Sequence, residues 1–458
     1  MRKSLLALVS LAVLAWALAF GYQVLTRDYR YVQLVRLGDE LMGEKLPFQA
    51  SRTYTSAIRI KADEPVAYVK RAEAERQQGN LIPALADLEA AARLSSDVHL
   101  VSLRLAGLYN DVERFDEAAA HYEKVLAIDP DSPTVLYDLG LVHFRAGREA
   151  EAIDALSRAA ALRDGFWEAY YLRGAVFRSI GGTDEAEADF RKALELRPEA
   201  EHARSALIDL YIERGDPRQA MELVQDEIDA NPGAATPYLH LASVHQLAGR
   251  RKAAIASVGL ALEQDPNLPA GYLRLGELWL EEATLRGDPV AADKAVAALE
   301  SVAKMDPADG RAALALARAY LAMNDESRGF AELQRASRAT PVPAEAHRLL
   351  GDLYRARREH AEAVTAYHVF LRLQGDSPAV LERLGDTYVD LENPRLAAET
   401  YLRLASLEPR SVAPLVKAAR ALIDAGDRGA AARVCRRGLA ANPENQALRG
   451  LLNEASGS

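Results

Sequence analysis

The residue types that most often carry enzyme chemistry fall in no catalytic spacing along this 458-residue chain. The sequence contains no G-x-x-x-x-G-K-[ST] phosphate loop, no H-E-x-x-H zinc helix and no G-x-S-x-G nucleophile turn. Its single cysteine, Cys435, excludes an internal disulfide and any metal site built from cysteines. Paired acids such as Glu281-Glu282 are typical of solvated helix faces. We therefore expect no enzyme activity, no catalytic residue, no cofactor and no metal.

The nine histidines are scattered, and we interpret each as a surface or core residue. His240 and His245 are five residues apart, which points them to different sides of a helix. The remaining histidines are His99, His121, His143, His202, His347, His360 and His368.

Composition and charge are those of an ordinary globular protein. Charged residues make up 27% of the chain and apolar residues 49%. The net charge is −10, and the acidic residues are spread along the chain. A nucleic-acid binder needs a basic face to neutralise phosphates, so the charge argues against nucleic acid as a partner.

The elements that carry these residues repeat every 34 residues. With Trp167 as position 1, position 8 is Gly or Ala in eleven of twelve units, and position 20 is Ala in eleven of twelve. Position 32 is proline in eight units, and position 15 is glycine in six. The unit from Pro269 to Asp309 carries seven extra residues. The units begin at Tyr31, Pro65, His99, Pro133, Trp167, Glu201, Ala235, Pro269, Gly310, Ala344, Pro378 and Val412.

Each unit has the pattern of a helix–turn–helix hairpin. Apolar residues recur at helical spacing on both sides of position 15, where glycine suits the turn that ends the first helix. Proline at position 32 stops the second helix because it lacks an amide donor. Small residues at positions 8 and 20 let the two helices approach closely. One hairpin cannot bury its apolar faces alone, so neighbouring hairpins must stack.

The recurring residues at positions 8, 15, 20 and 32 resemble those of the tetratricopeptide repeat family over nearly all of residues 31–445. The resemblance implies an all-α, right-handed solenoid of about twelve helix-turn-helix repeats, preceded by one N-terminal apolar helix. Residues 446–458 are expected to form a capping helix and tail. The insertion, near residues 281–289, is interpreted as a longer first helix ending at Gly287, or alternatively as a contact arm or hinge.

The resemblance also implies a binding groove, because in this family positions 2, 5, 9 and 12 line the concave face. Two neighbouring units carry aromatic and arginine side chains there, and such side chains are frequent interface anchors. The alternative is that they pack against adjacent helices. A charged groove region in later units is interpreted as surface pairing at helical spacing. The candidate partner-binding residues are Tyr137, Leu141, Phe144, Tyr171 and Arg178, and the charged region comprises Arg348, Asp352, Arg355, Glu382 and Asp386.

The first thirty residues predict a signal anchor or a signal peptide. Arg2 and Lys3 precede an apolar run from Leu5 to Phe20, which is almost long enough to span a bilayer as a helix. An A-x-A pattern ending at Ala19 also fits cleavage of a signal peptide. We expect a single-pass inner-membrane protein with periplasmic repeats. Release to the periplasm after cleavage and cytoplasmic repeats are the alternatives.

The predicted function is a non-catalytic scaffold that holds a partner protein or peptide in its groove. An assembly factor of an envelope complex, such as a polysaccharide or lipopolysaccharide pathway, has this layout in related families. The alternative is a non-catalytic subunit or regulator of a membrane-associated enzyme complex, with the repeats in the cytoplasm. The sequence does not indicate an oligomeric state.

Overall fold

The structure is a computed structural model that describes residues 25–95 and 98–457. These residues form α-helices joined by short turns, and they contain no strand. The chain divides into two compact units, here called the N-terminal unit (Met1–Asp216) and the C-terminal unit (Pro217–Ser458). The division falls inside the sixth sequence repeat, between its two helices. The expected all-α fold of stacked helix pairs is confirmed.

Most helices of both units pair with their sequence neighbours as hairpins. The N-terminal unit contains α1 (described over residues 25–43), α2 (Pro47–Ile60), α3 (Pro65–Gln77), α4 (Leu81–Leu94), α5 (Val98–Asp111), α6 (Phe115–Leu126), α7 (Pro133–Arg145), α8 (Glu149–Leu162), α9 (Trp167–Ser179), α10 (Thr183–Leu196) and α11 (Glu201–Arg214). The C-terminal unit contains α12 (Pro217–Ala230), α13 (Thr236–Leu247), α14 (Arg251–Gln264), α15 (Pro269–Arg286), α16 (Pro289–Met305), α17 (Gly310–Ala322), α18 (Glu326–Ala336), α19 (Ala344–Ala356), α20 (His360–Gln374), α21 (Pro378–Asp390), α22 (Pro394–Leu407), α23 (Ala413–Asp424), α24 (Arg428–Ala441) and α25 (Gln446–Ser456).

The alanines at position 20 lie where the two helices of each hairpin pack against each other. Eleven alanines occupy it, and each is fully buried, with 0% of its surface exposed. A larger side chain at this position would push the two helices apart, because protein interiors are close-packed. The members are Ala50, Ala84, Ala118, Ala152, Ala186, Ala220, Ala254, Ala295, Ala363, Ala397 and Ala431.

The small residue at position 8 makes room for the large residue at position 24 of the same hairpin. A Cβ atom added to Gly174 would lie 2.8 Å from the ring of Phe190, and one added to Gly385 would lie 2.5 Å from the ring of Tyr401. The Tyr401 hydroxyl passes over that glycine and donates to Asp386 Oδ1 at 2.6 Å. Packing and a hydrogen bond therefore fix the same pair of helices.

The insertion lengthens both helices of its hairpin. Helix α15 has 18 residues and ends at Arg286, where Gly287 adopts a left-handed conformation with φ of 64°. Asp288 then caps α16, because its carboxylate accepts a hydrogen bond from the Val290 amide at 2.9 Å, and Pro289 follows at the first helical position.

The described helices contradict the predicted cellular location. None of the helices within residues 25–95 and 98–457 combines the length and the apolar character needed to cross a bilayer. This finding overturns the prediction of a single-pass inner-membrane protein with periplasmic repeats. The apolar run and the N-terminal helix expected from it fall within residues 1–24, which lie outside the described residues.

Candidate functional site

The first helices of three successive hairpins in the N-terminal unit line two adjoining cavities. The larger, of about 540 Å³, lies against α1, α3 and α5, and the smaller, of about 320 Å³, continues it along α3 and α5. Val69, Glu73 and Arg104 line both cavities. We call this continuous surface the α1–α3–α5 groove.

Apolar side chains form much of the floor of the α1–α3–α5 groove. Met42 comes from α1, Val66 and Val69 from α3, and Val101 from α5. Val66 is 46% exposed, although valine is usually buried. The groove therefore presents apolar surface that no part of the described chain covers. Apolar cavities with a few polar groups on their rim are the usual form of a ligand site.

The charges on the rim of the α1–α3–α5 groove are mostly paired with one another. Lys70 Nζ lies 2.7 Å from Asp39 Oδ1, and Tyr54 donates to that same oxygen at 2.8 Å. Arg76 Nη2 lies 3.2 Å from Glu73 Oε1. These contacts hold the rim side chains in place without any ligand.

Arg104 is the exception on this rim. It lies on α5, it is exposed, and it lines both cavities. Among the described residues its guanidinium makes no ion pair and no hydrogen bond. Burial raises the pKa of Glu73, but hydrogen bonds from Arg76 and Gln77 and the nearby charges of Arg76 and Arg104 together lower that pKa below its usual value. Arg104 is therefore available to an anionic group of a ligand.

The predicted binding residues on α7 pack against neighbouring side chains. The ring of Tyr137 lies 5.5 Å from that of Phe166, centre to centre. Leu141 and Phe144 pack against a buried cluster that includes Leu172 of α9. All three predicted residues are half-buried. Burial raises the pKa of the Tyr137 hydroxyl.

The predicted residues on α9 also make contacts within the fold. Tyr171 is half-buried, and its ring lies 6.0 Å from that of Phe190. Arg178 donates from Nε to Glu213 of α11 at 3.0 Å, and its Nη1 lies 3.9 Å from Asp209. The bond to Glu213 raises the pKa of Arg178. The charge of Arg178 is thus already matched by the next hairpin.

The predicted charged region of the C-terminal unit forms a ladder of ion pairs along α19, α21 and α23. Arg348 Nη1 lies 2.8 Å from Asp352 Oδ2, and Arg355 Nε lies 3.2 Å from Asp390 Oδ2. Lys417 of α23 donates to Glu382 at 2.8 Å and to Asp386 at 2.9 Å. A cavity of about 670 Å³ lies over part of this ladder and is lined mainly by charged side chains. In the described ranges no group of three His, Cys, Asp or Glu residues is arranged to hold a metal ion.

The α1–α3–α5 groove was missed by the search for aromatic and arginine side chains. The signal was nevertheless in the sequence, because Val66, Val69 and Met42 occupy positions 2, 5 and 12 of their units. Plain aliphatic residues at these positions look like core residues. Only the structure shows that Val66 stays open to solvent.

Family profiles match the chain over the same hairpins. A profile described as TPR repeat matches residues 108–147. Two described as tetratricopeptide repeat match residues 181–235 and 291–353, and 137–201 and 382–446. Together these segments cover more than half of the chain. The chain belongs to the tetratricopeptide repeat family.

Among curated relatives, the chain is 31% identical over 150 residues to cellulose synthase operon protein C of Pseudomonas fluorescens. It is 30% identical over 172 residues to human tetratricopeptide repeat protein 13. These alignments cover 31% and 36% of this chain, but only 12% and 20% of the relatives. They show a shared repeat and leave most of each relative unmatched.

Two solved structures are also similar to the chain, and the first of them is a tetratricopeptide repeat protein. One from Parabacteroides merdae has 18% identity and a TM-score of 0.43, covering 54% of this chain and 98% of its own. The protein MamA has 22% identity and a TM-score of 0.34, covering 35% of this chain and 95% of its own. Proteins of the tetratricopeptide repeat family generally mediate protein–protein interactions, and their fold is typically a non-catalytic scaffold.

Proposed function

We propose that the chain is a non-catalytic scaffold that binds a segment of a partner protein in the α1–α3–α5 groove. The observation that carries this proposal is the cavity of about 540 Å³ with its partly exposed apolar floor, which a smaller and more polar cavity of about 320 Å³ continues. Large exposed apolar surfaces rimmed by polar residues are typical of interaction sites.

The chemistry of the groove defines the segment that it binds. Val66, Val69 and Met42 favour large apolar side chains, and Arg104 favours a carboxylate beside them. Within residues 25–95 and 98–457 the other rim charges named above are paired, so Arg104 supplies a charge that a ligand can meet. The partner segment is therefore apolar with at least one acidic residue.

The predicted site on α7 and α9 is proposed as the continuation of this surface. Tyr137 and Tyr171 stand at position 5, Leu141 at position 9, and Phe144 and Arg178 at position 12. Val69 and Met42 hold the equivalent positions in the α1–α3–α5 groove. None of the five residues is fully buried, so each retains some surface for a partner.

Photo-crosslinking tests the groove in the full chain. A photoreactive amino acid is placed at Val66, inside the groove, and in a control at Ile82 of α4, which is 70% exposed and apolar but lines neither cavity. We expect the Val66 probe to yield one defined adduct in cells that express the protein, and the Ile82 probe to yield none.

Binding of the purified partner then decides the proposal. The crosslinked segment, made as a peptide, should bind the wild-type chain, and Val66→Glu should weaken binding about tenfold or more by placing a charge on the apolar floor. Arg104→Gln should weaken it about three- to tenfold. Equal adducts from both probes, or a peptide that binds Val66→Glu as well as the wild type, would exclude the groove.

A further inference from the structure

Helix α24 carries four arginines and no acidic residue, although the chain as a whole has a net charge of −10. All four side chains are exposed. Among the described residues, none of them makes an ion pair or a side-chain hydrogen bond. The four are Arg428, Arg433, Arg436 and Arg437. This helix therefore presents positive charges that the described part of the fold does not neutralise.

Three of these arginines share one face of α24. Arg436 and Arg437 follow Arg433 by three and four residues, so the three side chains lie within one helical turn of each other. The other side of the helix is buried and contains Ala431 and Cys435. We call Arg433, Arg436 and Arg437 the α24 arginine face.

Small residues lie at both ends of the α24 arginine face. Gly429 precedes Arg433 by four residues and Ala440 follows Arg436 by four, and both are exposed. A Cβ atom added to Gly429 would lie 3.7 Å from Nη1 of Arg433, so this guanidinium extends along the helix toward the glycine. No bulky neighbour on the same face of α24 therefore screens the guanidinium groups from a partner.

Acidic residues close to α24 serve other groups. Asp427 precedes the helix, and its Oδ1 accepts a hydrogen bond from the Ala430 amide at 2.8 Å, which caps the helix N-terminus. Glu454 of α25 lies 2.9 Å from Nη1 of Arg420 on α23. The basic side chain of the neighbouring helix α23 is thus paired, whereas those of the α24 arginine face are not.

We propose that the α24 arginine face binds an acidic segment of a partner protein. Guanidinium groups hold carboxylates through paired, charge-assisted hydrogen bonds, and three of them within one turn match a segment with several closely spaced carboxylates. A long polyanion such as DNA fits less well, because it would extend over the surface of a chain with a net charge of −10. The α24 arginine face lies outside the α1–α3–α5 groove, so this inference does not depend on the proposed function.

A rhodamine-labelled hexaglutamate peptide tests the proposal, with hexaglutamine as its neutral control. Fluorescence anisotropy with the full-length chain should show binding of hexaglutamate alone. The affinity should fall several-fold between about 50 and 200 mM salt, because salt screens exposed charges. The triple variant Arg433→Gln, Arg436→Gln, Arg437→Gln should weaken binding about tenfold, because each exposed ion pair contributes modestly and three are lost together.

A second triple variant controls for net charge. Arg52→Gln, Arg93→Gln and Arg372→Gln remove three charges from exposed side chains of α2, α4 and α20, which also have no ion pair or side-chain hydrogen bond among the described residues. This variant should bind hexaglutamate within about twofold of the wild type, because distant charges are screened. Both triple variants should melt close to the wild type, because exposed side chains without specific contacts contribute little to stability.

Loss of hexaglutamate binding in the α24 variant alone supports the proposal. An equal loss in both triple variants would show that only the overall charge matters, and an α24 variant that binds like the wild type would place binding elsewhere; either result overturns the proposal. A wild-type chain that does not bind hexaglutamate also overturns it. Tighter binding of a short DNA duplex or of phosphatidylserine vesicles through the same three arginines would overturn the assignment to an acidic protein segment.

Discussion

At the scale of single residues, a half-buried arginine joins the two helices of the hairpin α9–α10. Arg173 of α9 donates from Nε and Nη2 to the two carboxylate oxygens of Asp189, each at 2.7 Å. Its Nη1 donates to Ser157 of the preceding hairpin at 2.9 Å. Arg71 and Asp87 form the same bidentate pair in an earlier hairpin. Such a pair fixes geometry, although its net contribution to stability can be small, because both charges lose water.

We expect Arg173→Met to lower the free energy of unfolding by about 3–5 kcal/mol, because it leaves the Asp189 carboxylate buried and unpaired. Asp189 is 6% exposed, so water can restore little of the lost interaction. Urea unfolding followed by circular dichroism measures the change. The double variant Arg173→Met with Asp189→Leu should recover most of the stability. A double variant as unstable as the single one would show that the pair itself is strongly stabilising.

Ionisation of Asp138 in α7 makes the free energy of unfolding depend on pH. Its carboxyl group has no hydrogen-bond or ion-pair partner among the described residues, and burial raises its pKa to about 6. The unfolded value is about 3.9, so the folded chain holds the proton more tightly between pH 4 and 6. Stability from this group is therefore greatest below pH 4 and is lost as the pH rises through 6.

Asp138→Asn should remove that dependence. We expect the variant to melt a few degrees above the wild type at pH 8, where the wild-type carboxylate is charged and poorly solvated. The two should melt at similar temperatures near pH 4, where the wild-type group is neutral. Thermal unfolding at a series of pH values gives the comparison. A constant difference across the series would mean that ionisation of Asp138 is not its cause.

At the scale of the helical element, the turn inside each hairpin has one conformation regardless of its residue. Position 15 has positive φ in eleven repeats, at six glycines and at five residues with side chains, and Gly287 has it at the corresponding turn of the extended repeat. The sequence predicted this turn only where glycine stands. Elsewhere the packed hairpin imposes a left-handed backbone that costs a side-chain residue about 1–2 kcal/mol. The five residues are Lys45, Glu113, Asn324, Arg358 and Glu392.

Glu392→Gly should therefore stabilise the protein by about 0.5–1 kcal/mol. The gain is the relief of left-handed strain at φ of 52°, reduced by the greater freedom of glycine in the unfolded chain. Gly426→Ala is the matched reverse change, at φ of 81°, and should destabilise by about 1 kcal/mol. Chemical unfolding measures both. A destabilised Glu392→Gly would mean that the glutamate side chain contributes more than the strain takes away.

At the scale of the whole molecule, the two units present first-helix surfaces of different chemistry. The N-terminal unit has the α1–α3–α5 groove with its apolar floor and with Arg104, which has no ion-pair partner in the part of the chain that the structure describes. The C-terminal unit has a ladder of charges that neutralise one another, such as Arg348 with Asp352. A partner that binds to paired charges must first separate them, which costs free energy. A partner that binds to an uncovered apolar floor displaces only water, which is favourable. This difference is why the proposed binding site is placed in the N-terminal unit.

Much of the fold could be predicted from the sequence because the repeat constrains each hairpin in the same way. Close contact between the two helices of a hairpin favours glycine or alanine, so the small residues at positions 8 and 20 indicate in the sequence where these helices pack. The fully buried Ala186 and the crowded Gly174 lie at those positions. Such constraints act inside one repeat, and its own residues are enough to reveal them.

Only the tertiary structure shows which side chains remain exposed, because the exposure of a side chain depends on the neighbouring repeats. The sequence indicated Arg178 as a candidate groove residue, and the structure shows that Glu213, 35 residues further on, forms an ion pair with it. The sequence did not indicate Val66 as a binding residue, although the stacked hairpins leave this side chain 46% exposed. The position of a residue in its own repeat determines the direction of its side chain. Whether that side chain is covered is determined by what the adjacent hairpins place against it.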